Sequence, residues 1–390
     1  MAEAYIVAAG RTAGGRKGGK LKDWHPTDLA AVVLNDLVDR TSIDPAAVED
    51  VVMGCVMQVG EQSTNVARNA VLASKLPESV PATSVDRQCG SSQQALQFAA
   101  QAVMSGTMDV VIAAGVESMS RVPMFSPNAL AERAGLGACV GERMAERYPG
   151  VVFSQFAGAE QLARKHGLGR EQLDAYALQS HQRAVQARRH WADQIVPVAA
   201  RSAEAGDLGE LHTQDEGVRE HATLEGIASV KLLQDGGVIS AANASQICDG
   251  ASAVMVVNER GLRTLGVAPL ARVHHMSVLG HDPVIMLEAP IPATERALAK
   301  CGLRLQDIGR YEVNEAFASV PLAWQKALEA DPARLNAEGG AIALGHPLGA
   351  SGTRLATSLV HALQRSGVRY GLQTMCEGGG MANVTVFERC

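Results

Sequence analysis

One order of segments occurs twice in this chain, and that repetition restricts the fold more than any other feature. Over residues 93–105, Leu96, Ala99, Ala100, Val103 and Met104 share one face of a helical repeat. Gly106 ends that helix, and Asp109-Val110-Val111-Ile112-Ala113-Ala114-Gly115 follows as an unbroken apolar strand, the kind parallel sheets bury on both faces. In the last quarter a glycine-rich loop ending at Gly352 opens a helix with Leu355, Leu359, Val360 and Leu363 on its apolar side. Ser366-Gly367 stops it, and Tyr370-Gly371-Leu372-Gln373-Thr374-Met375 is the strand. A single offset carries Ser105-Gly106 onto Ser366-Gly367, Ala95 onto Ala356 and Gly115 onto Cys376. Helix and strand alternating twice in register predict an α/β fold with two similar halves.

The remaining segments fit around that frame. Ala4 to Ala9 reads as a short buried strand ended by Gly10, residues 26–39 as a helix bearing Leu29, Val32, Val33 and Leu37, and residues 50–56 as a strand. Gly14 to Lys20 matches the opening of a phosphate-binding loop, but Leu21 stands where a metal-binding Ser or Thr belongs, and no apolar helix follows. A glycine-rich surface loop is expected there instead. The pattern changes between residues 119 and 248: 153–167 and 171–191 are amphipathic and helical, and 201–225 is polar, acidic and loop-like. This stretch reads as an insertion, and long insertions commonly cover a ligand. A helix over 294–301 and a strand over 309–313 lead into Asn314-Glu315-Ala316-Phe317-Ala318.

Composition excludes several function classes. A formal net charge of -6 argues against a surface built for nucleic-acid phosphates. No run approaches the roughly 18 apolar residues that a membrane helix requires, and the first residues lack signal-peptide character, so a cytoplasmic location is expected. The seven cysteines include no C-x-x-C pair, so no metal site is expected. Cys55, Cys139, Cys248, Cys301 and Cys390 are read as inert thiols.

Cys89 and Cys376 differ from those five. Cys89 directly precedes a helix start within Asp86-Arg87-Gln88-Cys89-Gly90-Ser91-Ser92, where orphan N–H groups and the helix dipole are expected to favour a thiolate and lower its pKa. The same N–H groups could hold an oxyanion. His346 lies between Gly345 and Pro347, and proline bars it from the α region, holding the imidazole on an extended loop as a base would be held. Cys376 ends a strand and precedes Gly378-Gly379-Gly380, three glycines whose entropic cost implies close approach to that backbone. Two thiols and an imidazole supply a nucleophile, an acid and a base, an inventory suited to acyl transfer through a thioester.

These motifs together resemble the thiolase family. Asp86 to Ser92 resembles its nucleophile motif; Asn314 to Ala318, Gly345-His346-Pro347 and Cys376-Glu377-Gly378-Gly379-Gly380 stand in its order, with similarity running end to end. The resemblance implies a five-layered α-β-α-β-α core of two βαβαβ-type halves. It assigns residues 1–118 plus 249–270 to the N-terminal half, 119–248 to a CoA-covering loop domain and 271–390 to the C-terminal half. It implies that Cys89, deprotonated with help from His346, attacks the 3-keto carbon of a 3-ketoacyl-CoA. Cys376 protonates the departing acetyl-CoA enolate and later deprotonates the incoming CoA. His346 with an Asn314-held water, and the N–H groups of Cys89 and Gly378, form two oxyanion holes. Arg219, Ser245 and Phe317 match CoA-contacting positions. Acyl-CoA and CoA are the implied partners, CoA being a substrate with no tightly bound cofactor, and a homodimer or homotetramer is implied.

The chain departs from the family pattern around Ser154-Gln155-Phe156, at Glu338 and at Ala382, none of them a catalytic side chain. The first of these leaves the acyl and pantetheine contacts open. A decarboxylating ketoacyl synthase would need a second His, or a His and an Asn, where Cys376 stands. A non-catalytic acyl-CoA- or lipid-binding relative would lack one of the three reactive residues. Neither fits as well.

Overall fold

The structure is a computed structural model that describes residues 2–202, 204 and 206–390. Its principal elements, in chain order, are β1 (Tyr5–Thr12), α1 (Pro26–Thr41), β2 (Asp50–Gly54), α2 (Val66–Leu72), β3 (Ala82–Val85), α3 (Ser91–Ser105), β4 (Val110–Ser118), α4 (Gln155–Lys165), α5 (Arg170–Ala187), β5 (Cys248–Val257), β6 (Ala271–Gly280), α6 (Pro290–Cys301), β7 (Arg310–Val313), α7 (Ser319–Ala327), α8 (Ser351–Ser366), β8 (Tyr370–Glu377) and β9 (Met381–Arg389).

The repeat read from the sequence is present in space. β2 runs parallel to β4, β4 pairs antiparallel with β5, and β5 antiparallel with β1. In the second half β7 runs parallel to β8, β8 pairs antiparallel with β9, and β9 antiparallel with β6. Both halves are therefore mixed, whereas the unbroken apolar run of β4 had suggested a parallel sheet. That run arises because β4 is covered on both faces, whatever the direction of its neighbours. Even the outermost pairing recurs: β3 flanks β2, and a single bridge from Leu335 flanks Tyr311 of β7.

The halves meet along a seam in which β1 and β6 share two residue pairs, Tyr5 with Arg272 and Ile6 with Ala271, so the strands form one continuous sheet in the order β7-β8-β9-β6-β1-β5-β4-β2-β3. Equivalent helices α3 and α8 both end on a left-handed glycine, Gly106 at φ 78° and Gly367 at φ 68°, the conformation that only glycine adopts without steric cost. They pack on each other between the two half-sheets through Ala95, Leu96, Ala99 and Val103 against Ala356, Leu359, Val360 and Leu363. α1 covers the outer face of one half-sheet and α6 that of the other, which completes five layers.

Three local readings are corrected. β1 continues through Gly10 to Thr12, because Arg11 N–H and its guanidinium bond to Gln194 and Asp215. The polar stretch after Arg201 is not all loop: Gly206–His212 is a strand that pairs antiparallel with Val198–Ser202, and its residues up to Leu211 are exposed while Val198 and Ala200 of its partner are buried. The final strand β9 was not anticipated, although it is the central partner of β8. The glycine-rich segment after β1 forms a short strand, Gly15–Arg16, and a turn that buries Leu21, as expected of a non-phosphate loop.

Candidate active site

The site lies where the C-terminal ends of β4, β7 and β8 meet the N-terminal ends of α3 and α8. The loop before α3 turns sharply at Gln88, whose φ of 51° is unusual for a side-chain-bearing residue. Asp86 stabilises the turn by accepting the Gln88 N–H at 2.7 Å, and Ser91 Oγ accepts the Arg87 N–H at 2.9 Å while donating to the Gln88 carbonyl at 2.6 Å. Cys89 is thereby projected into the interior, 9% exposed, among Met119, Leu348 and Met375.

This burial reverses one expectation. Desolvation, followed by the nearby Glu377, pushes the Cys89 thiol up to about 12; only its own backbone N–H acts to lower it. The helix start is too busy to help: Gly90 N–H and Ser91 N–H are spent on the Arg87 and Gln88 carbonyls. At neutral pH the sulfur is a thiol.

His346 follows a short helix, Ala341–Leu344, and is fixed from three sides. Its N–H donates to the Gln246 carbonyl at 2.9 Å, Nδ1 lies 2.5 Å from Ser351 Oγ, and Nε2 lies 3.3 Å from the Asn314 amide nitrogen. Ser351 has one proton and gives it to the Pro347 carbonyl at 2.9 Å. Nδ1 must then be the ring donor, and Nε2 carries the lone pair. Burial first, and Arg354 second, drive the imidazole down to about 3, so it is neutral. The neutral ring, with an Nε2 lone pair that accepts only a long bond from the Asn314 amide, is the form a general base requires. Ser351 was not singled out from the sequence; its place five residues after a loop histidine was the signal available.

Asn314 directly follows β7, its backbone N–H held by the Thr374 carbonyl at 3.1 Å. Its Oδ1 is buried without a hydrogen-bond partner among the described residues. The next residue, Glu315, was also missed. Its buried carboxylate accepts from Tyr176 at 2.9 Å, Ser180 at 2.7 Å and the Ile342 N–H at 3.0 Å, tying the insertion's α5 and the histidine loop to β7. Glu117, at the end of β4, does the same for the other half through Val56, Met57, Gln62 and Gly349.

Cys376 is the penultimate residue of β8, paired with Ala382 and 1% exposed. Burial raises its thiol well above the ordinary range, and the charge of Cys89 raises it further, which couples the two sulfurs electrostatically. Gly378 packs on Gln88, where a Cβ would lie 2.9 Å from Oε1, and at Gly380 a Cβ would strike the Asp282 carbonyl at 2.6 Å. Those glycines are required by close packing, as anticipated.

Two cavities lead toward this constellation. One, of about 360 Å³, is lined by Met119, Phe156, Ser245, Phe317, His346 and Leu348 among others. The second, of about 440 Å³, is lined by His181, Arg219 and Thr223 and shares Ala241 and Gln246 with the first. Arg219 thus lines one cavity and Ser245 and Phe317 the other, the two having wall residues in common. Ser245 N–H bonds to the Ala316 carbonyl at 3.0 Å, and Phe317 meets Phe156 edge-on at 5.7 Å. Neither cysteine lines these cavities directly. Cys89 packs with the wall residues Met119 and Leu348, and Cys376 belongs to the core cluster of Phe317, Ala316 and Ala244. No group of three or more metal-ligating side chains occurs among the described residues.

Known proteins share this arrangement of sequence and fold. The thiolase N-terminal domain model matches residues 4–260, and the thiolase C-terminal domain model matches residues 267–389. The chain is 51% identical to the steroid 3-ketoacyl-CoA thiolase of Mycobacterium tuberculosis, over 100% of this chain and 95% of that protein. It is 40% identical to the 3-ketoacyl-CoA thiolase of Bacillus subtilis over the full length of both. Among solved structures, the Bacillus anthracis acetyl-CoA acetyltransferase superposes with a TM-score of 0.91 at 35% identity, and human mitochondrial 3-ketoacyl-CoA thiolase with 0.88 at 34%, each covering 100% of this chain and 99% of the other. Matched from one end to the other in both sequence and fold, the chain belongs to the thiolase family.

Proposed function

We propose that this protein catalyses CoA-dependent cleavage of a 3-ketoacyl-CoA to acetyl-CoA and a shortened acyl-CoA, or the reverse condensation, through an acyl group on Cys89. The observation that carries this reading is a neutral His346, its Nδ1 held by Ser351 and its Nε2 lone pair turned to the Asn314 amide, in one site with the electrostatically coupled pair Cys89 and Cys376.

The same electrostatics dictate the order of events. At neutral pH a thiol held near 12 keeps its proton, and an imidazole held near 3 stays uncharged. Proton transfer from Cys89 to His346 must accompany attack on the substrate's 3-keto carbon, so that the charge moves to the carbonyl oxygen, where the N–H groups of Cys89 and Gly378 receive it. Collapse of that intermediate breaks the Cα–Cβ bond. The enolate oxygen is stabilised by His346, whose Nε2 now carries a proton, and by a water held by Asn314, while Cys376 gives its proton to the enolate carbon. Cys376 then takes the proton of an incoming CoA thiol, whose sulfur attacks the acyl carbon and displaces Cys89, and the departing Cys89 sulfur takes back the proton held on His346. Two-step exchange of this kind gives ping-pong kinetics.

CoA is read as a substrate with no tightly bound cofactor. Arg219 would meet its nucleotide end, and Ser245 and Phe317 its pantetheine, along the connected cavities; residues 119–248 would form the covering domain between the halves 1–118 plus 249–270 and 271–390. A bulky apolar acyl group is favoured by the Met119, Met124, Phe156 and Leu233 lining, and the 51%-identical relative is named for steroid substrates. The open edge at β3 is the expected pairing edge of a homodimer, which could pair further into a tetramer. A cytoplasmic location is consistent with the absence, among the described residues, of any helix long and apolar enough to cross a membrane.

The test is to incubate the enzyme with acetoacetyl-CoA or a bulkier 3-ketoacyl-CoA and digest it for peptide mass spectrometry. An acyl adduct on Cys89 that disappears only when CoA is added supports the reading. CoA-dependent cleavage that persists in Cys89→Ala overturns it.

A further inference from the structure

Glu377 stands between Cys376 and Gly378 at the end of β8, is 0% exposed, and neither carboxyl oxygen has a hydrogen-bond partner among the described residues. That is unusual for a buried carboxylate, which costs several kcal/mol to desolvate and is ordinarily surrounded by donors. Glu117 and Glu315, both fully buried in the same site, meet that requirement with three or more donors each. The carboxyl lies against the backbone beside the nucleophile: a Cβ at Gly90 would sit 2.1 Å from Glu377 Oε1 and 2.9 Å from the Asn383 amide nitrogen. Gly90 is therefore glycine in order to admit this side chain. Glu377 is thus next in sequence to Cys376 and in contact with the residue next to Cys89.

The surroundings supply too few donors for an anion. Asn383 Oδ1 and both Glu377 oxygens are buried acceptors without partners, and Arg87 Nε is the one buried donor in this group left without a partner. A proton on Glu377 makes up part of that shortage. Burial raises its carboxyl to about 8, with Arg87 the only opposing charge. Across the contact, the charge on Glu377 opposes ionisation of both Cys89 and Cys376, while Glu117 and Asp86 add weaker effects on Cys89 alone.

We propose that Glu377 is a positioning residue for acyl transfer: protonated in the resting enzyme, it keeps the space around Cys89 and Cys376 neutral, so that negative charge can develop on sulfur there. Ionisation of Glu377 shuts this down, making the two thiols and the carboxyl one titrating unit. The inference rests on the reading of Cys89 as nucleophile.

The experiment follows alkylation of Cys89 by iodoacetamide from about pH 6 to about pH 10, with the adduct mapped by peptide mass spectrometry, in wild type and in Glu377→Gln, a neutral isostere. Rates should agree at the acidic end, where both side chains are uncharged. At about pH 9 the Glu377→Gln protein should react roughly five- to tenfold faster, since tenfold corresponds to one pKa unit. Superimposable profiles, or a uniform slowing at every pH, overturn the proposal; the latter is what a merely structural role predicts. Arg87→Met provides an independent arm. Without the guanidinium, Glu377 ionises later, and the break in the profile should move to higher pH; a break that stays in place overturns the proposal. Should the reagent label other cysteines and leave Cys89 untouched throughout, the assignment of the nucleophile itself fails, and this inference fails with it.

Discussion

β4 and β8 are equivalent strands in the two halves, and they end differently. The penultimate residue of β4 is Glu117, whose carboxyl accepts from three backbone N–H groups and a glutamine, stitching together the loops after β2 and before α8. β8 finishes at Cys376-Glu377-Gly378, where a thiol and an unpartnered carboxyl face the nucleophile loop. One scaffold thus carries a saturated polar end that fixes geometry and an unsaturated one where charge can still move. The contrast is between two strand ends, one that fixes geometry and one that leaves charge free to move.

The strongest challenge to that division is Cys89→Ala. It should lower kcat for CoA-dependent cleavage by more than about 10³-fold with little change in melting temperature, checked by steady-state assay and calorimetry. Next, His346→Ala should cost roughly 10²- to 10³-fold in kcat, because it removes both the base and an oxyanion donor; a loss confined to KM would contradict its placement. The opposite signature belongs to Glu117→Gln. An amide NH2 placed where several N–H donors point toward an acceptor oxygen should destabilise by about 2–4 kcal/mol, read as an earlier denaturant midpoint, and activity should fall only as far as the fold is lost. If Glu117→Gln instead inactivates a fully stable protein, the two strand ends are not divided as described.

A pH experiment sharpens the same contrast. His346 is held at about 3 in the folded chain and would titrate near 6.5 unfolded, so the unfolded state binds the extra proton between those values. The stability tied to this histidine is complete above about pH 6.5 and is lost on acidification, by roughly 1–2 kcal/mol on reaching about pH 5. The difference in unfolding free energy between wild type and His346→Gln should shrink by that amount over this interval. Smallest of all, Phe156→Ala removes an edge-on contact with Phe317 and should shift relative rates among 3-ketoacyl-CoA chain lengths only a few-fold, measured as kcat/KM ratios.

Much of the fold was legible because its signals are local. Glycine C-caps, the apolar face of α3 and the unbroken run of β4 are short-range patterns, and their recurrence at one offset exposed the two halves. The candidate reactive residues were singled out by an equally local pattern, each standing within two positions of a glycine. What the sequence concealed is long-range. The antiparallel direction of β5 and β9 leaves no mark on a strand buried on both faces. The Cys89 thiol was expected to be acidified by its helix start, but its acidity is governed by burial and by Glu377, nearly three hundred residues away in sequence. Glu117, Glu315 and Ser351 reveal their roles only once their partners from other elements are in place.

The two-residue seam between β1 and β6, with α3 packed on α8, has a consequence for how the enzyme comes into being. A nascent chain halted before β6 would hold Cys89, the proposed nucleophile, but neither His346 nor Cys376, and its α3 would lack the leucines of α8 that cover it. Acyl chemistry is thus deferred until the ribosome has delivered β8. A partly made chain among cellular thioesters has no competent centre to be trapped on.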